Sequence, residues 1–447
     1  MDTKTREDIL RGALDLPLFN CELRQRGASA PIIYKGPGFL SQTSDRSLLL
    51  RVFSEPLSVK DGLMRLVGAQ AGPGMLVPET GYYDFRGDGQ DGSVWTAERL
   101  SLHLDPGTGG TGTYLSANVP QIERAESFGH VLESSSVSTF VPGTFDLPWH
   151  LSTTTEESFV IDRFEGKTEG CDWKIRKRQR GLDLNFAVTS GPIERRYRRL
   201  LLALEILSGR AMDTPVADFG QAGQLITRVC SPRNARRQKQ LSPMMPSTKP
   251  YAAHANAFVA GFLTRIDEKH PSEEDHTATV YWLWHRVSKA YESDIENSAL
   301  VLSVGIESLL DRAFKSEVDQ DEEFLSMIEE AETILKKAGL QPRVLGRIES
   351  SLASATKPGP KQVLRRLKDQ GFIGKAHVLA WEKLRNKAAH GKGVDGTDDV
   401  QILLEQYHHC IGLFYCLIFV LTGYRGVYSD LTRQNWPDTV FGGSSVA

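Results

Sequence analysis

The sequence predicts an α+β fold in which a β-rich N-terminal domain, similar to a sandwich or a barrel, precedes an all-α helical bundle. Two observations predict this fold. Up to about residue 190 the chain is rich in glycine, serine and threonine and alternates polar with apolar residues in short runs, which is typical of antiparallel strands. Beyond about residue 252 the apolar residues recur at helical spacing and the connections are short, which favours a compact bundle.

The chain has 447 residues, which is enough for two or three domains. We divide it into a β-rich sensing or recruiting domain at 1–193, a helix and linker region at 194–254, and a helical domain with a C-terminal tail at 255–440. The linker interpretation rests on five prolines between residues 213 and 250 and on a basic run from Arg233 to Lys239.

In the first domain the clearest strand patterns are period-two or apolar runs bounded by turn residues such as Gly87-Asp88-Gly89. The predicted strands include 47–53, 98–105, 159–161 and 181–188.

The first helix is predicted to begin at Glu194 and to end before Gly209. Further amphipathic or apolar helices are predicted at 281–314 (one long helix or two abutting ones), 321–338, 341–355, 360–370, 375–388 and 398–422. In the tail, Tyr424, Tyr428 and Trp436 are expected to pack back on the bundle.

Composition narrows the class of protein. The chain is 40% hydrophobic and 24% charged, with a formal net charge of -3, so any nucleic-acid binding must come from local basic patches. The five cysteines form no CxxC pair, which favours a reduced, cytoplasmic protein without a zinc site. The N-terminus lacks a signal-peptide core. The apolar run 410–422 is short for a bilayer and indicates a buried helix. We expect no membrane attachment, no metal and no cofactor.

One segment, Leu384 to Gly393, combines a permanent cation, an amide and a titratable imidazole at Arg385, Asn386 and His390. Arginine forks onto phosphate, and histidine exchanges a proton near neutral pH. These are the groups that metal-free cleavage of a phosphodiester requires.

A bare Arg…His spacing occurs in two further places, at Arg124…His130 and at Arg265…His270. Only Arg385…His390 has asparagine directly after the arginine, predicted helix on both sides and glycine directly after the histidine.

Helical geometry separates the charged groups of the motif. Asn386 and His390 share one helix face, whereas Arg385 lies about 140° round from His390. Both could meet one phosphate if the helix ends near them, and Gly391 and Gly393 predict such an ending. The alternative is that Arg385 and Asn386 cap the helix and His390 complements its dipole.

This segment resembles the R-N-x-x-x-H motif of the HEPN superfamily. An upstream apolar helix, Ser298 to Leu310, resembles the family's helix with an embedded glutamate, here Glu307. The tail segment Gly423 to Tyr428 resembles the end of the Apea-like HEPN branch, which also joins a β-rich N-terminal region to the helical domain. The resemblance implies an HEPN helical bundle and a metal-independent endoribonuclease. It further implies a homodimer or higher homo-oligomer that acts in antiviral defence by abortive infection, triggered by a phage-derived signal.

The chemistry of the residues agrees with this implication. His390 would act as general base or acid, Arg385 would neutralise the charge of the transition state, and Asn386 would orient the phosphate or the imidazole. Glu307 stands among apolar neighbours and is expected to need a buried partner, either Arg385 or His390. One motif supplies one imidazole, so a symmetric dimer would complete the acid and base roles.

Two basic clusters are candidates for binding the RNA backbone, with a solvated strand face and helix start as the alternative. Their candidate residues are Lys174, Arg176, Lys177, Arg178, Arg195 and Arg196. The competing functional interpretation is a non-catalytic HEPN interaction module whose β-domain binds the ligand.

Overall fold

A computed structural model describes residues 1–54, 75–104, 113–127, 134–154, 159–221, 223–232, 240–266, 276–315, 322–355, 358–389 and 397–442. The chain divides into two compact units. The first comprises Met1–Phe145, Trp149–Tyr197 and Met212–Arg237, and the second comprises Asp146–Pro148, Arg198–Ala211 and Gln238–Ala447. An antiparallel sheet dominates the N-terminal part and helices dominate the C-terminal part, so the predicted α+β class is confirmed.

The described residues of the first unit form a helix, α1 (Thr3–Arg11), and a large sheet. Its strands are β1 (Asp15–Gln25), β2 (Ile33–Gln42), β3 (Leu48–Ser54), β4 (Tyr83–Gly89), β5 (Val94–Leu100), β6 (His103–Leu104), β7 (Thr113–Val119), β8 (Gln121–Ser127), β9 (Ser135–Pro142), β10 (Leu151–Thr154), β11 (Phe159–Thr168), β12 (Cys171–Arg178), β13 (Gly181–Val188), β14 (Val216–Gln221) and β15 (Gln224–Cys230). The hydrogen-bonded order is β10-β11-β12-β13-β9-β14-β15-β8-β5-β4-β1-β2-β3-β7-β6.

Alternation along the strands builds the core of the first unit. On β3, Leu48, Leu50 and Val52 are buried while the residues between them are partly exposed, because successive side chains of a strand point to opposite faces. Large aromatic residues such as Trp95 and Tyr34 fill the same cluster. Burying each such side chain contributes roughly 1.5–3 kcal/mol to folding.

The linker interpretation is wrong for residues 216–230. These residues form β14 and β15, which join β9 to β8 in the sheet. Two of the five prolines that suggested a linker, Pro215 and Pro232, flank the strand pair instead of interrupting it. Proline is tolerated at the ends of strands, so proline frequency alone was a misleading signal here.

Helices fill the second unit, and α2 (Ile193–Ser208) begins in the first unit and ends in the second. The others are α3 (Ala252–Thr264), α4 (His276–Tyr291), α5 (Ile295–Ala313), α6 (Glu322–Lys337), α7 (Pro342–Ala355), α8 (Pro360–Asp369), α9 (Lys375–Ala389) and α10 (Thr397–Thr422). The predicted helices are confirmed within a few residues. The 281–314 pattern contains two helices, because Asp294 caps α5 by accepting a 2.7 Å hydrogen bond from the Asn297 amide.

The C-terminal tail packs on the bundle only in part. Tyr424 and Tyr428 are buried and contact the Phe419 ring of α10. A short ribbon of β16 (Val427–Ser429) and β17 (Asp438–Val440) follows. Trp436 is 41% exposed, so its predicted packing is wrong. Asn435 and Trp436 both have a positive φ, in a turn closed by the hydrogen bond from the Trp436 amide to the Arg433 carbonyl.

The apolar C-terminal helix is longer than the run that suggested it. Asp399–Thr422 is long and apolar enough to cross a membrane by length and composition, and 67% of its most apolar stretch is buried inside the protein. The core helix of a soluble protein passes the same test. Cys410, Leu413 and Phe414 are fully buried, as the sequence predicted for a buried helix.

Candidate active site

Arg385 of α9 and Glu307 of α5 form a bidentate ion pair. The Arg385 Nε and Nη2 atoms donate to the Glu307 Oε2 and Oε1 atoms, both at 2.8 Å. The two side chains are 48% and 32% exposed. Bidentate arginine–carboxylate pairing fixes the plane of the guanidinium as well as its position. Of the two expected partners of Glu307, Arg385 and His390, the structure thus shows Arg385 in contact.

A second contact, one helical turn earlier, holds the same two helices together. The Trp381 indole Nε1 donates to the Ser303 carbonyl at 3.1 Å, and the indole is buried. Trp381 and Arg385 are i, i+4 neighbours, and so are Ser303 and Glu307. Both contacts advance in the same direction along both helices, so α5 and α9 run parallel here. The buried indole anchors the helices and the charged pair lies towards solvent.

The ion pair leaves Arg385 with capacity for a further anion. A guanidinium has five N–H donors, and the pairing with Glu307 uses one on Nε and one on Nη2. Three donors, including both on Nη1, remain. The guanidinium carbon lies 5.7 Å from the centroid of the Trp381 ring, which adds a cation–π contact. Glu307 therefore orients the cation without occupying all of its donors.

Glu307 is less buried than its sequence neighbours suggested. Val304, one turn away on α5, is largely exposed, while Leu309 and Leu310 are fully buried. Glu307 lies at the border between these two faces of the helix. The expectation of a buried carboxylate is wrong, although the expected partner is right.

The rest of the motif is described in part. Asn386 is exposed, and α9 ends at Ala389. His390 lies outside the described residues, as do the glycines that follow it, so its expected place beside Arg385 stays a prediction. All described hydrogen bonds of the Arg385 side chain go to Glu307, which differs from the alternative in which Arg385 caps its own helix.

The competing Arg…His pair in the sheet presents its arginine differently. Arg124 lies on β8 and its guanidinium is 2.9 Å from both Asp91 and Glu126. Its side chain is nearly buried between these carboxylates. His130, and His270 of the other match, lie outside the described residues.

Several of the candidate RNA-binding residues already have partners within the first unit. Arg176 donates to Asp162 at 3.1 Å, and Arg178 pairs with Asp183. Arg196 donates to the Cys171 Sγ at 2.8 Å and to the Gly170 carbonyl at 3.3 Å. Lys174, Lys177 and Arg195 are exposed. The ion pairs favour the alternative of a solvated strand face for the arginines of β12.

Sequence reasoning missed a buried polar group in the second unit. Arg199 of α2 is 8% exposed, and its guanidinium donates to Thr277 Oγ1 at 3.2 Å and to the Leu263 carbonyl at 3.3 Å. Glu205, two turns later, lies with its Oε2 3.0 Å from His285 Nε2, without an aligned hydrogen bond between them. A charged residue inside the apolar run Leu200 to Leu207 was the signal that could have indicated this group.

Across the ranges that the structure describes, no group of three or more histidine, cysteine, aspartate or glutamate residues could hold a metal ion.

No protein-family model, no curated protein and no solved structure matches this chain. The HEPN resemblance therefore rests on the motif residues and on the helices that carry them.

Proposed function

We propose that the chain is a metal-independent endoribonuclease of the HEPN type that cleaves RNA by attack of the ribose 2′-OH. The observation that supports this proposal best is the bidentate Arg385–Glu307 pair, which faces solvent and leaves three arginine donors for a phosphate. Arg385 directly precedes Asn386 and lies four residues before the end of α9 at Ala389. The motif places His390 immediately after that end.

The proposed reaction is a transesterification in which the ribose 2′-oxygen displaces the 5′-oxygen from phosphorus. His390, or the same residue of a second copy of the chain, takes the proton of the 2′-OH as the oxygen attacks phosphorus. Arg385 donates to the phosphoryl oxygens as negative charge builds on them. The bond from phosphorus to the 5′-oxygen then breaks, and a second acid returns a proton to that oxygen. The products are a 2′,3′-cyclic phosphate and a 5′-hydroxyl.

The second proton-transfer group is the reason to propose a homodimer. Each chain has one copy of the motif, so two copies facing each other across a symmetric interface of C-terminal helices would supply both an acid and a base. Light scattering at working concentration tests this part, and a fully active monomer would contradict it. An HEPN bundle, a sandwich-like or barrel-like N-terminal sheet and a cytoplasmic role in phage defence belong to the same proposal and rest on the resemblance.

The alternative is a non-catalytic HEPN module whose β-domain binds the ligand. The observation that favours it is the same ion pair, because Glu307 neutralises Arg385 and a paired arginine can serve structure alone. The two functions differ in whether the purified protein cleaves RNA.

The deciding experiment is incubation of labelled RNA with the purified protein in excess EDTA. We expect cleavage by the wild type and none by His390→Ala or Arg385→Ala. Arg312→Ala serves as the matched control, because Arg312 is an exposed arginine on the same helix as Glu307 and should leave cleavage unchanged. Strict dependence on Mg²⁺, or equal activity of all variants, would contradict the proposal.

A further inference from the structure

One outer face of the N-terminal sheet carries aromatic side chains where polar ones are usual. On neighbouring strands, Phe39 of β2 lies opposite Arg51 of β3, Arg51 lies opposite Ser116 of β7, and Ser116 lies opposite His103 of β6. Two residues after Arg51 along β3, Phe53 lies opposite Tyr114 of β7. We call these six residues the aromatic face.

The phenylalanines of the aromatic face are accessible. Phe39 is 41% exposed and Phe53 is 45% exposed. The opposite side of the same strands is fully buried at Leu40, Leu50 and Val52. An antiparallel sheet with one buried face normally directs polar residues outward, so outward phenylalanines on adjacent strands indicate a surface that binds something.

The rings are held in place rather than loose. Tyr114 packs against Phe53 with ring centroids 5.1 Å apart and an interplanar angle of 56°, which leaves the rest of the Phe53 ring open to solvent. The backbone beneath is fixed by hydrogen bonding to a strand on either side. A ring with few rotamers on a paired strand loses little conformational entropy when a ligand stacks on it.

The charge of the surface restricts the ligand. Among the described residues, the outward positions of β2, β3 and β7 carry no carboxylate. Arg51 makes no hydrogen bond or ion pair within that part of the chain, whereas Lys35 at the edge is 3.1 Å from Glu22 of β1. A cation that has no partner among the described residues and is flanked by aromatic rings is complementary to an anion that has flat faces.

We propose that the aromatic face binds a single-stranded polynucleotide by stacking unpaired bases on Phe39 and Phe53, with Arg51 contacting the phosphate between them. Phe53 follows Arg51 by two residues and is therefore the diagonal neighbour of Phe39, a separation of about 7–8 Å on an antiparallel sheet. Two bases of an extended strand can each occupy one ring at that spacing. In a duplex the base faces are covered by neighbouring pairs, so single strands are required. This binding goes beyond cleavage and does not depend on it.

The test is a binding titration of the full chain carrying His390→Ala, which prevents degradation of the probe. Fluorescence anisotropy is recorded with a labelled single-stranded RNA, the same sequence as DNA, and its duplex. Both single strands should bind more tightly than the duplex. A preference for RNA would show that the ribose also contributes, and equal binding of RNA and DNA would show that stacking suffices.

Substitutions assign the binding to the aromatic face. Phe39→Leu and Phe53→Leu keep an apolar side chain on the strand, and each should weaken binding by roughly 5- to 100-fold. Phe39→Tyr should restore affinity because it restores the ring. Arg51→Gln should lower the slope of log K against log salt by about 0.7. Trp282→Ala, which removes an exposed aromatic residue of α4, is the matched control and should have no effect.

The proposal is overturned if the duplex binds as well as single strands, if no probe binds, or if the leucine variants bind as tightly as the parent. If the wild-type protein does not cleave RNA, these binding results still stand. The cleavage proposal and the binding proposal can therefore be contradicted independently.

Discussion

Two arginines of the second unit perform different tasks although both join neighbouring helices. Arg199 is 8% exposed and donates to a threonine hydroxyl and a backbone carbonyl inside the bundle. The Arg385 side chain is 48% exposed and faces a carboxylate. An exposed ion pair contributes only about 0–1 kcal/mol to stability, whereas a buried donor leaves its acceptors unsatisfied when it is removed. Burial thus separates an arginine that stabilises the fold from one that is available for chemistry.

The largest expected effect is on activity, at the exposed arginine. Arg385→Ala should lower the rate of RNA cleavage by about 10²–10³-fold, which an end-point assay shows as no cleavage, since it removes donors aimed at the developing charge. Arg385→Lys should be impaired as well, because a point ammonium cannot replace the fork. The midpoint of thermal unfolding should hardly move. Initial rates and a thermal melt measure both, and a large fall in melting temperature would place Arg385 in the same class as Arg199.

The buried arginine should show the reverse pattern. Arg199→Ala should lower the free energy of unfolding by about 3 kcal/mol, because Thr277 and the Leu263 carbonyl lose their donor. Activity per folded molecule should persist at low temperature. Arg312→Ala, at an exposed position of α5, is the control and should stay within about 0.5 kcal/mol. Denaturant unfolding measures the difference, and equal effects of the two variants would remove the contrast.

His377, on the same helix as Arg385, should make the stability of the protein depend on pH. Burial and the neighbouring His409 lower the pKa of His377 to about 4, against a partly opposing effect of Asp430. The His377 Nδ1 accepts a hydrogen bond from the Gly374 amide at 3.1 Å, which suits a neutral ring. The unfolded chain therefore binds this proton first on acidification.

Because the unfolded chain binds the proton first, the free energy of unfolding should fall as the pH is lowered. The contribution of His377 to stability is present above about pH 6.5, the ordinary histidine value, and is lost as the pH falls towards 4. Its size is about 2 kcal/mol after allowance for partial exposure. His377→Gln should flatten the pH dependence of the free energy of unfolding across this window. An unchanged slope in urea titrations between pH 6.5 and 4 would contradict the assignment.

The smallest effect is expected at the carboxylate that orients Arg385. Glu307→Ala should lower cleavage by about tenfold, because the arginine keeps its charge and loses its fixed plane. Glu307→Gln should retain more activity than Glu307→Ala, since one oxygen can still accept a hydrogen bond. The change should appear in kcat more than in KM. Full activity of Glu307→Ala would show that the ion pair is structural only.

Sequence reasoning succeeded where the pattern was local. The helices of the bundle follow from apolar spacing. Glu307 was expected to meet Arg385 or His390, because a carboxylate in an apolar helix needs a partner, and only the structure identifies Arg385. The strands β14 and β15 were missed because the five prolines between residues 213 and 250 indicated a linker, although Pro215 and Pro232 lie at strand ends. The aromatic face could not be predicted, because Phe39, Phe53 and Tyr114 come together only through cross-strand pairing. Such pairing depends on which strands become neighbours and in which register they pair, and neither can be read from the local alternation of a single strand.

The central claim, cleavage by the 2′-OH at the Arg385 site, is tested most directly by the ends of the products. An RNA that carries one 2′-deoxynucleotide is incubated with the wild-type protein in EDTA, and the fragments are analysed by mass spectrometry. We predict 2′,3′-cyclic phosphate and 5′-hydroxyl ends at every cleaved position, with no cleavage after the deoxynucleotide and none in Arg385→Ala. Fragments with 3′-hydroxyl ends, or cleavage at the deoxynucleotide, would contradict the account.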